Sequence, residues 1–470
     1  MLNATVSSGG KPVECRYERT DAEDVAVIAI PDCEADGMRG ALTARIGFNR
    51  TGEVRATIRY WLHDPDGRKL LERSFALGPD VMPQKGVFCG KVPVEEECKI
   101  RPSCFKPIEI PGLEPKPDFW KVRTEEIMDI CSRAKKCARK EIICRTPLGY
   151  PVYALFYGDS FNDKPPQTNW SAGSSSTTYR SYMGDTPPGK QTFLLLTGVH
   201  GAEPECVAGA MNIIQALETG RDFRGRAHPE LLELVSKYRF IVVPCLNMDG
   251  RSISPDHLRG IEWTKFREVS QGVWKDGSRI GWRGSKSWFP LPLDKVSFPG
   301  GYPNSEGYNI MHDACPGDMR TEEARAILKL TSRWRVDAVL NGHSYESAPS
   351  IVRHSSVDTP ANEVRCSEIA ARINAAIHAA GLRKDLIPQL DGVPRINLNT
   401  MIAMASGALA LTLECSVSYD RADRPELKPP RRKYSFDELM EPLFISVGEY
   451  LKAGLEKPFL VRGSEKVYSD

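Results

Sequence analysis

The 470-residue chain lacks any apolar run approaching the roughly 20 residues that a membrane span requires; stretches such as Phe193–Val199 and Ala408–Leu413 are less than half that length. It also lacks an excess of either charge, with 63 Lys and Arg against 61 Asp and Glu. A balance that even gives no long-range field for a polyanion or an anionic bilayer, which argues against nucleic acid or membrane as the main partner. Met1–Gly10 has neither a basic start nor an apolar stretch. No secretory leader is therefore expected, and a cytoplasmic location is. The 13 cysteines include no CxxC pair; Cys89, Cys98 and Cys104 lack zinc-ribbon spacing, and Cys131, Cys137 and Cys144 fall in or beside a predicted helix. A chain this long buries a large core without disulfides, so these read as free thiols in a reducing compartment. The sequons at Asn3, Asn49 and Asn169 matter only for a secreted protein. What is present is ordinary for a folded protein: 41% apolar and 26% charged residues, too apolar for disorder.

Three regions follow from the pattern. Over residues 1–105, short β-branched stretches (Val25–Ile30, Ala41–Phe48, Val54–Leu62) alternate with Asp36-Gly37, Thr51-Gly52 and Asp66-Gly67, which predicts a small all-β, sandwich-like domain. Residues 106–119 form a Pro-rich linker, with prolines at 107, 111, 115 and 117 and one just before it at 102. From 120 to about 460 the period changes. Thr124 is placed to cap a helix carrying Ile127, Ile130 and Ala134 on one face, and Glu141–Cys144 with Val152–Tyr157 reads as a strand pair. Buried-strand candidates at Phe193–Val199, Phe240–Leu246, Val336–Leu340 and Ala408–Leu413 alternate with helices, one running from Val207 to a stop at Gly220 and another over Glu363–Ala380. That alternation predicts an α/β domain with a mixed, mostly parallel sheet flanked by helices. The residues near Pro165 and Ser174–Ser176 read as a loop.

The chemistry follows the apolar runs. Phe193–Val199 leads straight into His200-Gly201-Ala202-Glu203, Val336–Leu340 into Asn341-Gly342-His343-Ser344, and the last run delivers Glu414. In such sheets ligands sit beyond the strand carboxyl ends. Two imidazoles and a carboxylate are the usual protein shell of a catalytic zinc, with a fourth position for water. A further carboxylate outside the shell is the base such a hydrolase needs. One HxxE alone is weak, since about half an occurrence is expected by chance with so few histidines, and there are two: His200/Glu203 and His343/Glu346. The first is preferred because it lies between a buried strand and a capped helix.

On these residues the chain, from about 120 to 451, resembles the zinc carboxypeptidase family, the carboxypeptidase A-like group that also holds deacylases and amidases. Thr124–Ile127 and Arg145–Val152 resemble its first helix and hairpin, and Gly198–Pro204 its first metal motif. Val243–Arg251, with Asn247-Met248-Asp249-Gly250, resembles its N-P-D-G turn. Arg320–Ala326 resembles the helix before the third ligand, Gly342–Tyr345 the third-ligand motif, and Leu411–Glu414 the strand of the general base. The resemblance implies one Zn2+ held by His200, Glu203 and His343, with Glu414 as base. It also implies an arginine that stabilises the oxyanion, for which Arg259 is the first candidate and Arg267 the second.

The departures are as specific. Where the family has an Asn-Arg clamp for the substrate's terminal carboxylate, this chain has Met311 and His312, and an imidazole cannot reproduce a bidentate guanidinium. His312 is therefore the candidate substrate-binding residue there. Asn309 falls where the family often has an Asp bonded to a metal-bound histidine, and no tyrosine occurs between Ile387 and Gly407, the stretch that would carry the family's phenolic lid. The expected function is zinc-dependent cleavage of an amide bond in a peptide or acyl-amino-acid-like small substrate, as a metallocarboxypeptidase with altered carboxylate recognition. The alternatives are an amidase or deacylase of the same fold, or a catalytically silent zinc-binding module. Trp263, Trp274, Trp282 and Trp288, in the insertion from Ile253 to Tyr308, are candidates to line a pocket or to pack on the core.

Overall fold

In the computed structural model the chain divides into two compact units, Met1–Lys91 and Val92–Asp470. The structure describes the backbone of the strands between residues 6 and 77, and residues 100–158, 190–261, 263–285, 290–314, 318–334, 336–345, 348–353, 360–383, 396–417 and 433–459. The loop expected near Pro165 and Ser174–Ser176, residues Glu346 and Trp288, and part of the stretch lacking the lid tyrosine lie outside them.

The first unit carries β1 (Val6–Ser8), β2 (Lys11–Val13), β3 (Cys15–Arg19), β4 (Glu23–Ala35), β5 (Met38–Asn49), β6 (Val54–His63) and β7 (Lys69–Leu77). β3 to β7 pair in sequence order as an antiparallel meander, and β1 pairs with β2 as a ribbon.

The second unit begins before the Pro-rich stretch ends. Arg101 N–H donates to the Leu148 carbonyl and Ile108 N–H to that of Ile253, while Ile108, Ile110 and Leu113 pack against a small apolar cluster around Leu258 and Phe266. Prolines remove donors but not apolar surface, so this stretch is laid along the larger unit. Next comes α1 (Thr124–Arg133), whose cap is Arg123 and not Thr124. Glu126 decides the position: its carboxylate turns back to accept from the backbone N–H groups of Val122 and Arg123.

Then follow β8 (Arg139–Arg145), β9 (Pro151–Tyr157), β10 (Thr192–Thr197), α2 (Pro204–Thr219), α3 (Pro229–Ser236), β11 (Arg239–Val243) and α4 (Met248–Ser252). The insertion supplies α5 (Trp263–Gln271), β12 (Val273–Trp274), α6 (Gly281–Ser285) and β13 (Val296–Phe298). The chain closes with α7 (Glu322–Trp334), β14 (Ala338–Tyr345), β15 (Ser350–Arg353), α8 (Pro360–Ala379), α9 (Leu398–Ser406), β16 (Leu409–Ser416) and α10 (Phe436–Glu456).

The main sheet has seven strands in the order β15-β16-β14-β10-β11-β9-β8. Its core, β16-β14-β10-β11, is parallel, and antiparallel strands flank it. This is the mixed sheet with helices that the alternating pattern predicts. The continuous apolar runs arise because both faces are covered. Phe193 and Leu195 of β10 point into a core shared with α2, α8 and α10, whereas Leu194 and Leu196 point into one shared with α7 and α9. β10 has β11 on one side and β14 on the other, so the chain reverses its direction of growth at β10. A crevice opens at the carboxyl ends of strands at such a switch point.

Beside that crevice, at the start of α7, lies a buried carboxyl with little support. Glu323 accepts one hydrogen bond from Asn304 Nδ2 at 3.3 Å, and its second oxygen has no partner among the described residues. Burial, with the charges of Asp249 and Glu306, pushes its carboxyl up to about 8 from an ordinary 4.5, against the backbone and Asn304 bonds that lower it. A raised folded-state value means the favourable contribution is complete below pH 4.5 and lost as pH rises toward 8. Glu323→Gln keeps the shape and removes the titration. Across pH 4.5 to 8 the wild type is expected to lose on the order of 4 kcal/mol relative to the variant in denaturant melts. Parallel pH curves for the two proteins would assign the neutral-pH stability to other groups.

Candidate metal centre

The loop after β10 is shaped by two glycines. Gly198 has φ +63°, and a Cβ on it would lie 2.9 Å from the Cys245 Cα; one on Gly201 would lie 2.1 Å from the Arg251 nitrogen and 2.2 Å from the Gly250 carbonyl carbon. Only glycine allows this loop to press against the Asn247–Gly250 turn. Hydrogen bonds from Leu246 N–H to the Thr197 carbonyl and from Asn247 N–H to that of Gly198 (3.1 and 2.8 Å) join the two. Pro204 then opens α2, so Glu203 stands at its N-cap.

This geometry turns His200 and Glu203 toward His343 on β14. His200 Nδ1 is 3.0 Å from Glu203 Oε1, His343 Nδ1 is 2.9 Å from Glu203 Oε2, and the two Nδ1 atoms are 3.3 Å apart. One ligand atom from each residue falls within 4.8 Å of the others, and all three residues are buried, at 3–4% exposure. The edges are close to the roughly 3.4 Å edge of a tetrahedron with bonds of about 2.1 Å, the zinc–nitrogen and zinc–oxygen range. Buried His-Glu-His donors at this spacing fit a zinc ion. Burial opposes ionisation of Glu203, but the two imidazoles outweigh it through charge and hydrogen bonds and bring its carboxyl to about 2. The carboxylate also accepts the Ser344 N–H at 3.1 Å.

Asn309 sets the tautomer of His200. Its Nδ2 donates to the Ser285 carbonyl at 2.6 Å, leaving Oδ1 to face His200 Nε2 at 3.1 Å. Nε2 must then carry a proton, so Nδ1, on giving up the proton it shares with Glu203, is the nitrogen that faces a cation. Glu414 is paired in register with His343 across the parallel β14–β16 ladder. Its side chain therefore emerges on the same face, about one strand spacing of 4.8 Å away, and is half-buried.

The arginines separate. Arg259 forms an ion pair with Glu114, donates to the Tyr434 carbonyl and covers the Phe436 ring, none of which belongs to the cluster. Arg267 lies over Trp282 at 6.0 Å, and its charge acts on Tyr302, whose ring is stacked on His200. The structure thus brings the second candidate beside the site and commits the first elsewhere. His312 ends a 3-10 turn over Ile310–His312 and is buried, as is Met311, whose Sδ accepts from Asn341 Nδ2 at 3.6 Å.

Of the insertion's tryptophans, Trp282 meets Tyr302 edge-on at 6.0 Å, whereas Trp274 packs in a small cluster with Ile280 and Leu291. Sequence reasoning did not find Tyr302. Its only signal is the Gly300-Gly301 pair before it, the mark of a close backbone approach.

A family model of zinc carboxypeptidases matches residues 127–385, more than half of the chain. No curated protein matches the sequence. Among solved structures, a metallo-carboxypeptidase from Burkholderia cenocepacia is 14% identical, with 71% of this chain and 69% of that chain covered and a TM-score of 0.41. Carboxypeptidase A from Helicoverpa armigera is also 14% identical, with 73% and 75% covered and a TM-score of 0.43. A metallo-carboxypeptidase from Pseudomonas aeruginosa, in complex with (2-guanidinoethylmercapto)succinic acid, is 13% identical, with 93% and 90% covered and a TM-score of 0.39. On the family match, with its seven-stranded mixed sheet and a His-Glu-His cluster at the sheet's rim, the chain belongs to the zinc carboxypeptidase family.

Proposed function

We propose that the protein hydrolyses an amide bond with one zinc ion held by His200, Glu203 and His343, as a metallocarboxypeptidase that binds the end of its substrate without a guanidinium clamp. The observation that carries this reading is the convergence of the three buried donors, with Glu414 on the adjoining strand in register with His343. Bound there, zinc supplies a Lewis acid and activates water at neutral pH. Glu414, outside the donor set, takes the proton of the attacking water and returns it to the leaving amine. Arg267, in preference to Arg259, faces the developing oxyanion, a contribution of roughly 2.7–4 kcal/mol for one such donor elsewhere. Residues 1–105 form an accessory domain, whose removal is expected to leave the zinc content unchanged.

Met311 and His312 favour one variant of this reading, an amidase or deacylase for substrates with a neutral end. Paired peptides test both, identical except for a free or amidated C-terminus. Hydrolysis of both is expected to stop with a chelator and return with zinc, and the free acid should be favoured by less than about tenfold, since each 1.4 kcal/mol of clamp would be worth a factor of ten. A preference of hundreds for the free acid would restore a carboxylate clamp. A preference for the amide would select the amidase. No chelator-sensitive cleavage of peptides or acyl-amino acids would end the enzymatic reading.

A further inference from the structure

Tyr302 is the residue of the metal centre that the donor set does not account for. Its ring lies on the His200 imidazole with centroids 4.0 Å apart and planes 15° from parallel. It is 3% exposed. Its hydroxyl sits where the charges of Glu203 and Glu414 both act on it. One side chain therefore lies flat against one of the three donors, within reach of the charge on a second.

The backbone holds it there. Tyr302 N–H donates to the Ser270 carbonyl at 3.2 Å, and the Tyr302 carbonyl accepts from Asn247 Nδ2 at 2.9 Å. The preceding Gly301 donates to Val269 and accepts from Ala202 N–H inside the ligand loop. A Cβ on Gly301 would lie 2.1 Å from Ser254 Oγ and 2.6 Å from the Ala202 Cβ. The insertion is thus locked against the ligand loop, and Trp282 closes on Tyr302 edge-on.

Asn309 fixes His200 at one nitrogen, which still leaves the ring free to tilt about that contact. A flat aromatic face removes the tilt, because an imidazole rotated out of the stack loses its packing. The Glu203 carboxylate is held independently, by the two imidazoles and by Ser344 N–H.

We propose that Tyr302 is the positioning residue of the metal centre: its ring, stacked on the imidazole, sets the plane of His200 and with it the affinity for zinc. The proposal rests on the reading of the site as a zinc centre, and the test separates the two. Stripped full-length wild type, Tyr302→Phe and Tyr302→Leu are titrated with zinc against a chromophoric chelator, and their cobalt-substituted forms are compared by visible spectroscopy. Loss of such outer partners costs 10–100-fold in metal affinity.

Tyr302→Phe, which keeps the stack, is expected to leave zinc binding within about threefold of wild type and the cobalt bands unmoved. Tyr302→Leu is expected to weaken it about a hundredfold and to shift the cobalt bands. Wild-type affinity in Tyr302→Leu, or a tenfold loss in Tyr302→Phe whether or not Tyr302→Leu folds, overturns the proposal. A wild type that takes up no zinc overturns the zinc reading itself.

Discussion

Glu414→Gln is expected to lower kcat by about a thousandfold, within the 10²–10⁴ range of a general base, while the protein retains one equivalent of zinc. The substitution keeps size and hydrogen-bonding shape and removes only the ability to accept a proton. Retention of metal follows from geometry. The donor set is complete without Glu414, which stands on β16 in register with His343 and outside the three atoms that converge. Metal analysis and steady-state kinetics on the same preparation make the check. Zinc lost together with activity would make Glu414 a ligand and remove the base from the mechanism.

His200→Ala and His343→Ala are expected to give the opposite pattern, with zinc falling below about a tenth of an equivalent after dialysis, since two of three protein ligands cannot hold a catalytic ion against buffer. Both residues are buried and each approaches Glu203 within 3.0 Å. Removing one imidazole also removes part of the field that keeps Glu203 ionised, so the remaining pair is weakened twice. The added zinc that raises the wild-type melting temperature by mass action should have no effect on either variant. Glu346→Ala, in the other HxxE pair, is expected to retain its metal. Full zinc in His200→Ala with loss in Glu346→Ala would move the centre to that second pair.

Much of this was legible along the chain because it is local or periodic. The buried strands β10, β11 and β16 are short apolar runs, and α2 stops at Gly220, whose φ of +87° only glycine adopts without strain. His200, Glu203, His343 and Glu414 each follow or end such a run, so a parallel sheet delivers them to one rim whatever the loops do. The helix cap falls at Arg123, one residue before Thr124, because the Glu126 carboxylate turns back to the Val122 and Arg123 N–H groups.

The arginines and Tyr302 were of another kind. Arg259 and Arg267 are eight positions apart in an insertion with no period to read, and both are plausible by type. Their assignment depends on Glu114 and Tyr434 capturing one guanidinium and on Trp282 and Tyr302 lying beside the other. Tyr302 is about a hundred residues from His200 and meets it only because Gly301 lets two backbones touch.

By itself, then, the sequence determined the strands, the helices and the four groups that a parallel sheet carries to its edge, because hydrophobic period and the end of a run are properties of a single segment. The tertiary structure alone decided which tautomer His200 holds, which arginine stands near it and which ring lies on its face. Those depend on contacts between segments far apart in the chain, whose distances no local pattern encodes.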